Sequence, residues 1–262
     1  RMPSLNALNK LLSKDTKFDL SLGYDKYDTL ASNDDLEKLM EVLSSVKDIN
    51  SNAAKITLNC VLANPDFKKI KDSNFTEYHY ELFTQTLNTY SNHSKSFDLW
   101  KEGINGNILK PQYHGREHLN VLMWLNSLQA DYKGVRNAFN EHVFSMLLDK
   151  HEDERLHHLA AYNFKFPNEV KFIHQSFEDG LRIFESIFGY KSKSMIAPCY
   201  IWDNNIEDLA SKLGVKYIQG ASIQKFPIYT RTLTGKEYKF HYMGELNNND
   251  QIINTIISQT DI

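Results

Sequence analysis

Apolar residues recur at helical spacing over 34–47, where Leu36, Leu39, Met40, Leu43 and Val46 share one face behind the capping oxygens of Ser32, Asn33 and Asp34. One face is buried and the other charged. The segment 55–62 is rich in strand formers and too short for an ordinary helix, so it predicts a strand that Asn64-Pro65 ends. Helical spacing returns over 77–90 and 97–103, and 108–113 then predicts a strand in which Pro111 demands an edge position or the final residues. That strand leads directly into His114.

The second half repeats the alternation. Leu119, Leu122, Met123 and Leu125 predict a helix over 116–129, and Val135, Phe139, Val143 and Leu147 predict another over 134–148. A strand is expected at 156–164, then a long amphipathic helix over 168–188, begun at Pro167 and stopped at Gly189. Short strands at 194–197 and 215–218 flank a helix over 204–213 that Gly214 ends, and further strands are expected at 226–229, 238–241 and 251–257, with a turn at Asn247-Asn248-Asn249-Asp250. Strand after helix after strand argues for α/β architecture with parallel strands and crossover helices, either a barrel or a doubly wound sheet. Both place chemistry at the carboxyl ends of strands. No repeat, low-complexity tract or linker divides the chain, so 1–262 reads as a single domain.

Composition narrows the function classes. Thirty basic against 33 acidic residues leave a net charge of −3, which offers no long-range attraction for nucleic acid or an anionic membrane. No apolar run approaches the roughly 18–20 residues that a membrane-crossing helix needs. The two cysteines, Cys60 and Cys199, cannot build a disulfide framework or a cysteine zinc site, and they read as buried free thiols of a reducing compartment, favouring the cytoplasm. The opening Arg1-Met2-Pro3-Ser4 and the strand pattern close to Ile262 suggest a piece of a longer chain, incomplete at both ends.

The candidate chemistry centres on His114-Gly115-Arg116-Glu117-His118. Neutral imidazoles are good zinc ligands, and two of them four residues apart on one face of a helical turn could fill two places of a tetrahedral shell. With ten histidines in the chain such a pair carries little weight alone. Its position after a predicted strand adds weight. Arg116, lying between the two, is a candidate substrate contact. The same five residues match HxxEH, the inverted zinc-peptidase motif, in which Glu117 would be the general base and Glu178, Glu185 or Glu207 a third ligand. That motif requires a continuous helix, whereas a predicted strand precedes it and Gly115 weakens the first turn.

A second constellation, Ala197-Pro198-Cys199-Tyr200-Ile201-Trp202-Asp203, also follows a predicted strand. Tyr200, Trp202 and Asp203 suit a sugar-binding rim, since ring faces cover pyranose faces and the polar groups meet hydroxyls. Ordinary loop packing, with Asp203 capping the next helix, is the competing reading, and both stand open. The run from His151 to His158 is charged and reads as solvated surface without a metal role. No GxGxxG, P-loop or GxSxG is present.

The segment Lys110-Pro111-Gln112-Tyr113-His114-Gly115-Arg116-Glu117-His118-Leu119-Asn120-Val121, with Ala63-Asn64-Pro65-Asp66-Phe67 and the opening Arg1-Met2-Pro3-Ser4, resembles the bacterial polysaccharide deacetylase-like proteins. The resemblance spans most of the chain. It implies a distorted (β/α) barrel holding a divalent metal, usually zinc, between one aspartate and the histidines that match His114 and His118. It also implies a carbohydrate substrate that loses N- or O-acetyl groups. Ala197-Pro198-Cys199-Tyr200 is similar to the family's proline-and-tyrosine motif, with Ala197 where an arginine often stands. The family's paired aspartates, metal ligand and base, are expected before Arg1, and its late histidine, the general acid, after Ile262. A barrel that binds carbohydrate without catalysis is the alternative.

Overall fold

The computed structural model describes residues 5–13, 30–144 and 158–256. A short helix α1 (Leu5–Ser13) and α2 (Asn33–Ser45) precede the first strand, and α2 starts at a complete capping box in which the Ser32 and Asp35 side chains each accept from the other's backbone N–H. The strands are then β1 (Ile56–Cys60), β2 (Ala63–Pro65), β3 (Tyr80–Leu82), β4 (Leu109–Tyr113), β5 (Ser194–Ile196), β6 (Tyr217–Ala221), β7 (Ile223–Lys225), β8 (Tyr238–Phe240), β9 (Glu245–Leu246) and β10 (Ile252–Ile256). Between them run α3 (Phe67–Asp72), α4 (Phe83–Leu87), α5 (Ser96–Asn105), α6 (Val121–Gln129), α7 (Lys133–Asn140), α8 (Val170–Phe188), α9 (Asn204–Lys212) and α10 (Ile228–Thr234).

The main sheet has six strands in the order β1-β4-β5-β6-β10-β9; only β9 is antiparallel to its neighbour. The parallel strands follow one another across the sheet in chain order, without the reversal that creates the switch point of a doubly wound sheet. Two hairpin-like pairs, β2–β3 and β7–β8, stand apart from it. The main core holds Tyr113 of β4, Phe177 and Phe184 of α8, Met195 of β5, Trp202, Ile218 and Ile253; a second cluster joins Phe67 with Trp124, Phe139 and Phe144. No helix among the described residues is long and apolar enough to cross a membrane.

Several elements differ from the pattern's expectation. Asn64 and Pro65 do not end a strand but form β2, whose register with Tyr80–Leu82 converts much of the expected helix at 77–90 into β3 and the short α4. Residues 158–164 are irregular, and 228–234 are helical behind Pro227 where a strand was expected from 226. Pro111 sits inside an interior strand. It is tolerated because β4 meets β5 only at Tyr113↔Met195. Earlier along that seam side chains replace the ladder: the Gln112 Oε1 accepts from the backbone N–H groups of Lys193 and Ser194 at 2.9 and 2.8 Å, and Ser192 Oγ accepts from Tyr113 N at 2.9 Å. Neither cysteine forms a disulfide, and Cys60 is buried while Cys199 is half-exposed; burial lifts the Cys60 thiol to about 12.

Candidate functional site

The carboxyl end of β4 delivers His114, and the chain then makes a loop rather than a helix through 114–120. This corrects the expectation of a helix from 116. Gly115 has φ +104°, a left-handed value that L side chains rarely adopt, and a Cβ there would lie 3.1 Å from the Glu117 carbonyl. The helix α6 starts only at Val121, where the Asn120 side chain accepts from Met123 N. The loop is tied to the end of β1 and the start of β2: His114 N donates to Cys60 O at 2.9 Å, while Leu62 N and Ala63 N donate to Arg116 O at 3.0 and 2.7 Å.

Within this loop the His114 and His118 rings approach edge to face with centroids 5.0 Å apart. His114 Nδ1 lies 2.8 Å from the carbonyl of Ile196 at the end of β5. A carbonyl only accepts, so this bond fixes the proton on Nδ1 and leaves the Nε2 lone pair free for an electrophile. His118 is largely buried, and its Nδ1 has no hydrogen-bond partner among the described residues. Burial, reinforced by the neighbouring His114, pushes the His118 pKa down to about 3; burial also lowers that of His114, against the Ile196 carbonyl. Both rings are therefore neutral at physiological pH, the form that ligates metal. No group of three or more His, Cys, Asp or Glu side chains with metal-binding geometry occurs among the described residues.

The residues between the histidines point the other way. Arg116 and Glu117 are buried at 8% and 2% exposure, with Arg116 Nε donating to Glu117 Oε2 at 2.6 Å and an Nη donating to Oε1 at 2.8 Å. A second Nη donates to Asp179 Oδ2 of α8 at 3.1 Å. Burial works against the guanidinium's charge, but the Glu117 carboxylate outweighs it and raises the Arg116 pKa above its ordinary value. Ser176 Oγ donates to Glu117 Oε1 at 3.0 Å, and the Arg116 guanidinium carbon lies 4.6 Å from the Tyr80 ring centroid. Arg116 is thus occupied inside the protein instead of facing a sugar, because its fork finds two carboxylates at once. Glu117 is occupied too, which removes the free base and the helical setting that the HxxEH peptidase reading requires.

The second constellation reaches the same rim. Pro198 lies 3.5 Å from a Cβ placed on Gly115, and the segment Pro198–Tyr200 follows β5, the neighbour of β4. Cys199 and Tyr200 have φ +56° and +54°, two consecutive left-handed residues without glycine, a strain of about 1–3 kcal/mol each that clusters at functional sites. Tyr200 is half-buried. Trp202 is fully buried, donating from Nε1 to Glu207 Oε1 at 2.9 Å and stacking on His241 at 6.2 Å, so its ring face cannot receive a pyranose. Asp203 caps α9, with Oδ1 accepting from Asn205 N and Ile206 N and Oδ2 from Thr230 Oγ1 at 2.9 Å. It borders a cavity of about 360 Å³, but both of its oxygens are taken. Packing and capping account for both residues.

His158, read as surface, is buried at 1% exposure and lies 3.0 Å from Ser127 Oγ; His151 and His157 lie outside the described residues. Three residues near the site escaped the pattern reading: Asp179, Tyr80 and Tyr162. One signal was available for Asp179. Its neighbour Gly180 interrupts a strongly amphipathic helix, and a Cβ there would collide with the Tyr113 ring, so α8 passes unusually close to β4 at this point. No family model matches the chain, and no curated protein matches it.

Proposed function

We propose that the protein is a metal-dependent hydrolase of the polysaccharide deacetylase kind, acting on an N- or O-acetylated carbohydrate, built on a distorted (β/α) barrel. The observation that carries the reading is the pair of neutral imidazoles at the carboxyl end of β4, one with its tautomer set by the Ile196 carbonyl and the other with an orphaned buried nitrogen. An unpartnered buried ring nitrogen is costly in a stable protein, and binding an electrophile would satisfy it. The monotonic order of the parallel strands supports a singly wound barrel over a doubly wound sheet.

The chemistry of the two neutral histidines fits zinc, which they would hold as two of its ligands. A bound zinc ion supplies Lewis-acid polarisation of an acetyl carbonyl and a water acidic enough to act as nucleophile near neutral pH. His114 and His118 would hold it, and the Ile196 carbonyl keeps the His114 ring oriented for that task. Tyr200, on the adjoining rim, is the candidate for contact with the sugar. Glu117 takes no proton, since both of its oxygens are engaged by Arg116 and Ser176.

The test is metal analysis with an acetate-release assay on acetylated oligosaccharides, comparing wild type with His114→Ala and His118→Ala. Metal and activity should be lost together in both variants. Unchanged metal content after removal of His114 would remove the basis for the reading. Metal retention in the wild type without acetate release from any acetylated glycan would favour the carbohydrate-binding barrel.

A further inference from the structure

We infer that Asp179, on α8, is a positioning residue for the His114/His118 pair, acting through Arg116 together with Tyr80. The inference rests on the metal-centre reading above and concerns how that centre keeps its shape.

The two histidines sit on a loop without regular hydrogen-bonding of its own between β4 and α6. Its backbone is tied at one side to the end of β1 and the start of β2, through Cys60, Leu62 and Ala63. On the other side it is held by His114 Nδ1 on the Ile196 carbonyl, by the Asn120 side chain, which donates to the carbonyls of Ala160 and Asn163, and by the Arg116 side chain, which uses Nε and one Nη for Glu117 and the other Nη for Asp179. The Glu117 bonds stay within the loop, since the two residues are adjacent. The bond to Asp179 and that from Ser176 to Glu117 connect Arg116 and Glu117 to α8, the longest helix described, at 19 residues.

Asp179 is itself held. Tyr80 Oη of β3 donates to the same Oδ2 at 2.8 Å, and Arg182 reaches Oδ1 at 3.6 Å from the exposed side of α8. Burial, with the Asp179 hydrogen bond, raises the Tyr80 pKa, so the phenol remains a donor. The Tyr80 ring also lies over the guanidinium, its centroid 4.6 Å from the Arg116 guanidinium carbon, a favourable cation–π contact. Close approach of α8 is permitted by Gly180, the residue next to Asp179, over Tyr113, the residue before His114. The clamp therefore links three elements, β3, α8 and the histidine loop, with a planar fork that fixes orientation as well as distance. A buried ionic cluster is weak support for stability in general, whereas fixing one geometry is a use for which its directional bonds suit it.

The experiment is a zinc titration of the full chain against a chromophoric chelator, together with the visible spectrum of the cobalt-loaded protein. Asp179→Ala should raise the zinc Kd by about 3–10-fold, less than the about 10–100-fold that follows loss of a partner bonded directly to a ligand, and Asp179→Glu should recover part of it. Arg116→Lys keeps the charge but loses the fork, and should shift the cobalt d–d bands because the histidine geometry changes. Asn247→Ala, which removes a partner of Glu207 in the distant Trp202 network, serves as the control for general destabilisation and should leave the Kd within about twofold. Should Asp179→Ala fail to fold, Asp179→Asn and Tyr80→Phe carry the same comparison with smaller shifts. Equal zinc affinity in wild type and the Asp179 variants overturns the positioning role and leaves the metal centre standing. Absence of zinc binding by the wild type overturns both.

Discussion

The segments that follow β4 and β5 look alike in sequence, each presenting polar and ring-bearing residues just after a strand, yet they differ in what those side chains have left to offer. After β4, His118 keeps a buried Nδ1 without a partner among the described residues, and the His114 bond to Ile196 uses Nδ1 and not Nε2. After β5, the Trp202 indole N–H and both Asp203 oxygens are already engaged by Glu207, Asn205, Ile206 and Thr230. Proximity to a strand end is thus a weak guide to function. Unused hydrogen-bonding capacity in a buried place is a stronger one, because leaving it unused costs about 1–3 kcal/mol unless something binds there.

The comparison breaks most decisively at the histidines. His114→Ala should lower activity and metal affinity by more than the about 10–100-fold expected for an outer partner, with little change in the melting temperature of the metal-free protein. Metal titration and thermal unfolding, done on the same preparation, check it. On the other segment the effects should be reversed. Trp202→Ala should destabilise by about 3–5 kcal/mol through the cavity and the lost donor to Glu207 Oε1, measured by urea unfolding, without altering zinc affinity in the folded fraction. An affinity change there would return Trp202 to the site.

Acid sensitivity sharpens the same contrast. The His118 pKa is depressed in the folded protein, to about 3 against the 6.5 of an exposed imidazole, so its contribution to stability is fully present above about pH 6.5 and is lost as pH falls towards 3. Unfolding of the metal-free protein at a series of pH values should show this fall, and His118→Phe should flatten it. The smallest effect belongs to Asp203→Ala, about 1 kcal/mol from loss of the α9 cap, with no change in KM for an acetylated oligosaccharide. A raised KM with unchanged stability would reinstate Asp203 as a sugar contact.

Much of the scaffold was legible because it depends on local rules. The Ser32 cap of α2, the start of α8 after Pro167 and its stop at Gly189, and the parallel strands around 56–60, 109–113, 194–196, 217–221 and 252–256 all follow from spacing and end signals. The failures have a common cause. Residues 77–90 carry apolar spacing compatible with a helix, but pairing of Tyr80–Leu82 with Ala63–Pro65 draws part of them into a strand. The missing N–H of Pro111 predicts an edge position or the final residues of a strand, and the truncated β4–β5 ladder, stitched by Gln112 and Ser192, makes an interior place acceptable.

The sequence by itself determined the alternation of elements, the parallel architecture and the placing of two imidazoles after a strand, because periodicity, end signals and residue chemistry act over a few positions. Tertiary structure alone decided which side chains remain available. Arg116 and Glu117 lie between the histidines in the chain, yet Asp179 and Ser176, about 60 residues away, draw them into the interior. Trp202 turns from a surface platform into core because His241 and Glu207 meet it there. Hydrogen-bond partners brought together across the fold decide whether a polar residue is scaffold or site, and no local pattern records them.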